Sequence, residues 1–288
     1  MKPVKKVVIL TAGLGTRFLP MTKAIPKAML PIFNKPVIQY LVEEAADSGI
    51  KEIIIVTGFG KRVIEEHFDR NYELEYELKA RGKQNLIKDL DKLISRIKIV
   101  FVHQKDALGD GHALLCAEHL IKNEPFAVLF GDDIIDSRVP ALAQLLDAYH
   151  KTASPILCVE KVANKKDLQN YGVIGVSAEF GNLLQINKLV EKPSPRSAPS
   201  DFGIIGKYIL TPDVLKALKT SKAGKPDGEK RLIDGLNTLL KNGKDLYALE
   251  VEGRRYDTGT PTGLLEANIA FANKFNKSSN LTLCPKKS

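Results

Sequence analysis

The chain has 288 residues, with 43 Lys+Arg against 34 Asp+Glu and a formal net charge of +9. That length fits one large or two small domains with room for a core, and 44% hydrophobic with 27% charged residues argues against a disordered or low-complexity chain. Cys116, Cys158 and Cys284 are odd in number and form no CxxC pair, so neither a disulfide framework nor a thiolate zinc site is expected, and a reducing, cytoplasmic setting is. Met1–Lys6 followed by Val7–Leu10 imitates a signal peptide, but the apolar stretch is short and runs into a glycine loop, so it reads as a strand. Apolar runs such as Ile53–Val56 and Pro125–Phe130 fall far below the roughly 20 residues of a membrane helix, and no membrane partner is expected. Lys and Arg are interspersed with acids, as in Lys88-Asp89-Leu90-Asp91-Lys92, and no zinc-finger, homeodomain or RNP signature is present. The positive balance therefore points to a polyphosphate ligand and a solvated surface, not to nucleic acid.

In chain order, the first half alternates β-rich runs with amphipathic stretches, the pattern of a parallel α/β sheet with crossover helices. Strand 6–10 leads into a glycine loop, Pro36 opens a helix that Gly49 closes, and 52–57 is a second strand. Helices are expected over 61–68 and within 72–97, then a strand over 97–103, a helix over 111–121, a strand over 126–130 and a helix over 142–149. Beyond residue 154 the strands 156–161, 171–177, 183–190 and 203–210 follow with turns between them, so the sheet gains a mixed portion. Helices return at 212–219, 230–241 and 261–272, and 276–288 reads as a mobile tail.

Thr11-Ala12-Gly13-Leu14-Gly15-Thr16-Arg17 follows a buried strand, where backbone amides can approach a phosphate. As a dinucleotide fingerprint it fails, because Phe18 occupies the third glycine position and no acidic residue closes strand 52–57. A Walker A loop also fails, for want of a following Gly-Lys-Ser/Thr. Arg17, Lys23 and Lys27 lie on the proline-stiffened segment behind this loop, as a triphosphate site requires. Gly131-Asp132-Asp133 ends a strand at the carboxyl edge of the sheet, and such carboxylates suit Mg²⁺, which takes one or two from protein and the rest from phosphate and water.

Gly13-Leu14-Gly15-Thr16-Arg17, the Pro26-Lys27 pair and Asn34-Lys35-Pro36-Val37-Ile38-Gln39-Tyr40 together resemble the sugar-1-phosphate nucleotidyltransferases, and Thr22–Lys27 resembles their uridylyl-transferring branch. The likeness reappears at intervals to about residue 265. It implies a Rossmann-like α/β nucleotidyltransferase fold, an open and mostly parallel mixed sheet flanked by helices. The expected domain spans 1–275, with a nucleotide-binding part to about 150 and a sugar-binding and assembly part beyond. The implied reaction is Mg²⁺-dependent transfer of UMP from UTP to glucose 1-phosphate in a homo-oligomer.

By the same resemblance, Arg17 and Lys27 are the catalytic cations, and Ala12, Gly13, Gly15, Thr16, Gln104 and Gly109 hold the nucleotide. Gln104 suits the base because an amide offers both a donor and an acceptor to a pyrimidine edge, an edge that uracil and thymine share. His112, in the same stretch, reads as a helix-start or packing residue. Asp132 and Asp257 are expected to bind metal; Asp133 is a neighbouring carboxylate, either beside the metal or a helix cap or turn residue. Gly172, Glu191 and Lys192 are expected to face the sugar phosphate. Three departures from the family pattern stand out: Ala28 where Glu is usual, Glu229-Lys230-Arg231-Leu232-Ile233-Asp234 where Glu-Ile-Gln-Leu-Thr-Asp is usual, and Lys207 where Arg is commoner.

Overall fold

The computed structural model describes residues 2–221 and 228–279. In the first half the elements are β1 (Lys6–Leu10), a short hairpin of β2 (Pro31–Ile32) and β3 (Lys35–Pro36), α1 (Val37–Asp47), β4 (Glu52–Thr57), α2 (Arg62–Phe68), α3 (Tyr72–Ala80), α4 (Lys88–Arg96) and β5 (Lys98–His103). Next come α5 (Asp110–Cys116), α6 (Glu118–Ile121), β6 (Phe126–Phe130), β7 (Asp133–Asp136) and α7 (Ala141–Thr152). The second half holds β8 (Ile156–Lys161), β9 (Gly172–Phe180), β10 (Leu183–Glu191), β11 (Phe202–Leu210), α8 (Asp213–Thr220), α9 (Leu232–Lys241), β12 (Leu246–Glu250), β13 (Arg254–Asp257) and α10 (Pro261–Ser279). The helix expected over 111–121 is broken at Ala117 into α5 and α6. The last helix runs through Ser279, past the expected boundary at 276, while 280–288 of the expected tail lies outside the described residues.

The main sheet runs β5-β4-β1-β6-β11-β8-β12-β10-β9. Its first four strands are parallel, as the βα rhythm predicts. The expectation of an open, mostly parallel sheet needs correction beyond β6. β11 enters antiparallel between β6 and β8, and β9 pairs back onto it at Gly203↔Val173, so β11, β8, β12, β10 and β9 close into a ring. The cause is visible in the register: β11 shifts between Ile204 and Tyr208, and β10 shifts on both sides of Ile186. Such irregularities bend a strand and increase its twist. The Lys207–Leu210 end of β11 thus lies on β6 while its Phe202–Gly203 end reaches β8 and β9.

Alternate residues of β1 feed two cores. Val7 and Ile9 pack with α1 and α7 residues such as Leu41 and Leu145, and Val8 packs with residues of α5, α8 and α9 such as Leu114, Leu218 and Leu236. Burial on both faces is why the parallel strands read as unbroken apolar runs. Full burial of each Val, Ile or Leu contributes about 1.5–3 kcal/mol, before the entropy of ordering is subtracted.

Candidate active site

Register places the site. β1 and β6 are parallel neighbours with Leu10 opposite Phe130, and Gly131 N–H donates to Leu10 O at 3.0 Å. The glycine loop and Asp132 therefore leave the sheet side by side at its carboxyl edge, where α/β sheets bind ligands. Gly131 must lack a side chain here, since a Cβ would lie 2.8 Å from Leu10 O.

The loop is held from below and from the side. Gly15 adopts φ 68°, and the Thr22 hydroxyl donates to its carbonyl at 2.7 Å. Lys61, 9% exposed, donates from Nζ to Thr11 O and, at 2.6 Å, to Gly13 O. Nothing in the sequence marked Lys61, a lone lysine at the start of a helical pattern.

Two cavities open at this edge. One, of about 480 Å³, is lined by the loop residues Ala12, Gly13, Gly15 and Thr16, by Gln104 and Gly109, and by Lys27. The other, of about 540 Å³, is lined by Arg17, Gly172, Glu191, Lys192 and Asp257. Asp110, Phe130 and Asp132 line both. Every residue singled out by the sequence as catalytic, nucleotide-binding, sugar-binding or metal-binding borders one cavity or the other. Lys23, read from the sequence as a third phosphate cation, borders neither and is exposed. Arg17 borders the second cavity, away from the glycine loop's own.

At the junction the Lys27 ammonium ion-pairs with Asp132 Oδ2. Asp257 arrives from the β13–β7 ribbon, in which it faces Asp133, and the ribbon is tied to Asp132 by Thr258, whose N–H and hydroxyl donate to Asp132 O at 2.9 and 2.8 Å. Gly259 completes the approach: a Cβ there would lie 2.5 Å from Asp132 Oδ2 and 2.9 Å from Asp257 Oδ1. Burial raises the Asp257 carboxyl above its ordinary range, and Asp133 and Asp132 add to the rise against a smaller opposing pull from Arg255. Two crowded carboxylates with excess negative charge and no side chain between them fit a hard divalent cation that draws its other ligands from phosphate and water. Among the described residues no group of three or more His, Cys, Asp or Glu is arranged as a self-sufficient metal cage.

Of the two alternatives the sequence left for Asp133, the cap or turn role is not what the structure shows. Asp133 is 6% exposed, begins β7, accepts Gly206 N–H at 2.9 Å and accepts Arg255 Nε at 2.6 Å. Arg255 also contacts Glu160 and, at 3.1 Å, Tyr171 OH. Burial disfavours the guanidinium, but Asp133 and Glu160 outweigh it and raise the pKa. This cross-strand network fixes the wall between Asp257 and the Tyr171–Gly172 turn.

Gln104, 6% exposed, donates from Nε2 to Gly109 O at 3.1 Å and lies 3.0 Å from His112 Nδ1. His112 thus orients the amide, a role its packing assignment only partly anticipated. Gly109 has φ 98°, and a Cβ would sit 2.5 Å from Lys230 O. The loop before α5 is stitched to 230–232 by Lys230 N–H to Leu108 O at 2.8 Å, Gly111 N–H to Lys230 O at 2.9 Å and Leu232 N–H to Asp110 Oδ1 at 2.7 Å. Burial pushes the Asp110 carboxyl up to about 6, with Glu191 adding and Leu232 N–H and Arg231 opposing.

Two of the departures have a visible use. Lys230 Nζ donates to Leu218 O at 2.6 Å and Ser221 O at 2.7 Å, satisfying carbonyls at the carboxyl end of α8. Lys207, fully buried, pairs with Glu44 at 2.7 Å. Ala28 is also fully buried, and no contact of the structure accounts for the absence of Glu there.

Residues 6–274 match the Nucleotidyl transferase family, and the chain belongs to it. Within that class it is similar to the UTP--glucose-1-phosphate uridylyltransferase YngB of Bacillus subtilis, at 47% identity over 267 residues, 93% of this chain and 89% of the relative. The UTP--glucose-1-phosphate uridylyltransferase of Staphylococcus epidermidis is 45% identical over 274 residues, 95% of this chain and 94% of the relative. Among solved structures, a UDP-glucose pyrophosphorylase complexed with UDP-glucose is similar with TM-score 0.87 and 41% identity, covering 94% of this chain and 99% of that one. A UTP-bound UGPase from Acinetobacter baumannii gives TM-score 0.87 at 30% identity, with 98% and 100% covered.

Proposed function

We propose that this chain transfers UMP from UTP to glucose 1-phosphate, releasing UDP-glucose and pyrophosphate. The observation that carries the reading is the meeting of the two cavities at Asp132, the glycine loop and Lys27 on one side and Glu191, Lys192 and Asp257 on the other. Relatives that match the chain almost end to end bear that activity in their names, and similar solved structures hold UTP or UDP-glucose.

In this reading the nucleotide occupies the glycine-loop cavity. Gln104 has committed its N–H groups toward Gly109 O and His112, so its Oε1 is left to accept the N3–H of uracil. Cytosine has an acceptor at N3 and is disfavoured; thymine shares uracil's edge and is not. The sugar phosphate occupies the other cavity, with Glu191 accepting hexose hydroxyls and Lys192 beside the phosphate. Lys192 is held at φ 45°, and its N–H donates to Tyr171 O at 2.9 Å, which fixes the turn that aims it.

A phosphate oxygen of glucose 1-phosphate forms a bond to the α-phosphorus, the bond from that phosphorus to the bridging oxygen of the β-phosphate breaks, and pyrophosphate leaves with the electron pair. The nucleophile is already ionised, so no general base and no covalent enzyme intermediate are needed. The protein positions two anions and spreads their charge, with Arg17 and Lys27 contributing from opposite cavities. Asp132 and Asp257 would hold Mg²⁺, which when bound supplies charge neutralisation on the polyphosphate.

The division into a nucleotide part to about residue 150 and a sugar part to 275 belongs to the same reading, although Arg17, Asp110, Phe130, Asp132 and Asp133 of the first part border the sugar cavity and Glu229 of the second borders the nucleotide cavity. Cytoplasmic location and homo-oligomer formation belong to the same reading. Exposed Leu265 and Ile269, one turn apart on α10, support association. Light scattering after size exclusion tests it, and a monomeric mass would overturn it. Among the described residues no helix is long and apolar enough to cross a membrane. For the activity itself, purified protein with UTP, glucose 1-phosphate and Mg²⁺ should yield UDP-glucose and pyrophosphate by mass spectrometry; absence of both overturns the reading.

A further inference from the structure

Lys61 lies outside both cavities, yet it touches the chain that lines one of them. Its Nζ accepts nothing and donates to two carbonyls of the glycine loop, Thr11 O and Gly13 O. A trans peptide is planar, with the C=O of one residue antiparallel to the N–H of the next. Pinning the carbonyls of Thr11 and Gly13 on one side therefore turns the N–H groups of Ala12 and Leu14 to the other. That other side is the cavity, since Ala12, Gly13, Leu14 and Gly15 all line it and Lys61 does not. The segment bearing Lys61 is packed tightly beneath the loop: a Cβ on Gly58 would lie 3.0 Å from Ala12 O. Thr11 is locked from the same strand end, its N–H and hydroxyl both donating to Val56 O at 2.9 Å.

We infer that Lys61 is a positioning residue for the nucleotide: its buried ammonium holds the Ala12 and Leu14 amides toward the cavity and places a positive charge behind the loop that receives the polyphosphate. The inference rests on the proposed nucleotide site. Burial, with neighbouring Lys27 adding, lowers the Lys61 pKa to about 8, so the cation is held at a cost. A bound polyanion relieves that cost, so the charge favours the liganded state. Loop geometry alone would be satisfied by any donor; a cation also polarises the two peptide groups it grips.

The test compares Lys61→Met, which keeps the stem and removes charge and donors, with Lys61→Gln, which restores a neutral donor. UTP affinity is measured by calorimetry without sugar phosphate, and KM for UTP, KM for glucose 1-phosphate and kcat are measured in turnover. A charge-assisted hydrogen bond is typically worth enough to change affinity by about tenfold or more, so Lys61→Met should weaken UTP about tenfold or more. KM for glucose 1-phosphate should stay within about twofold, and Gln should recover part of the loss. UTP affinity within about twofold of wild type in Lys61→Met overturns the inference, as does an equal loss for both substrates. If Met impairs folding, as a thermal melt would reveal, the Gln variant decides by the same split between the two KM values. Should wild type bind another nucleoside triphosphate in place of UTP, the functional reading fails while the comparison, repeated with that nucleotide, still tests Lys61.

Discussion

Lys27 and Asp132 are ion-paired where the two cavities meet, and the proposed chemistry gives each a separate measurable consequence. Replacing Lys27 by Ala is expected to lower kcat by about 10² or more, the range for a preorganised charge-stabilising group; a near-normal rate removes it from the catalytic set. Asp132→Asn should raise the Mg²⁺ concentration needed for half-maximal rate sharply, and an unchanged Mg²⁺ titration would count against its place in the metal site. Gly259→Ala gives a geometric test, because its Cβ would crowd Asp132 Oδ2 at 2.5 Å and Asp257 Oδ1 at 2.9 Å. That variant should keep its melting temperature within a few degrees while losing Mg²⁺-dependent turnover. Lys27, Asp132 and the glycines were legible in the sequence because they sit in contiguous motifs at strand ends. Lys61 and Arg255 were not, since each acts on a loop or carboxylate 48 and 122 positions away in the chain.

At the scale of elements, the informative feature is the stitch between the loop before α5 and the start of α9. Asp110 accepts the first N–H of α9 from across the fold, and its carboxyl is raised from 3.8 to about 6 chiefly by burial. A raised carboxyl favours the folded state when protonated, so its contribution is full below pH 4 and is lost as pH climbs through 6. Asp110→Asn keeps an acceptor for Leu232 N–H without the charge. Its melting temperature relative to wild type should therefore rise between pH 4 and pH 7; a difference flat with pH would contradict the assignment. The helices and long strands of this region followed from periodicity, whereas β7 and β13 did not. Both are four residues long and carry charge (Asp133-Ile134-Ile135-Asp136 and Arg254-Arg255-Tyr256-Asp257), so neither displays the apolar run by which buried strands are read. Their pairing nonetheless brings Asp257 to Asp132.

Across the whole molecule, a parallel half of four strands meets a ring of five where β11 pairs antiparallel with β6, and the candidate site lies where they join. The parallel half was legible from its βα rhythm. The ring was not, because closure depends on register shifts in β10 and β11 that leave no mark on the hydrophobic pattern. The joint is held by Lys207 of β11, which is fully buried against Glu44 of α1, while Glu44 also accepts Leu142 N–H of α7 at 3.0 Å. Removing one partner of such a pair leaves the other charge buried and costs about 3–5 kcal/mol. Lys207→Met is expected to lose stability of that order in urea unfolding, and a loss below about 1 kcal/mol would show that the pair does not secure the joint.

The proposed function stands or falls on the choice of substrates, which pyrophosphate release reads out. The assay takes UTP, dTTP, ATP, CTP and GTP in a matrix against the 1-phosphates of glucose, galactose, mannose and N-acetylglucosamine, with Mg²⁺ throughout. UTP with glucose 1-phosphate should exceed every other pair, and CTP should fail with all four sugars. Turnover led by a different pair, or none with any, would contradict the account.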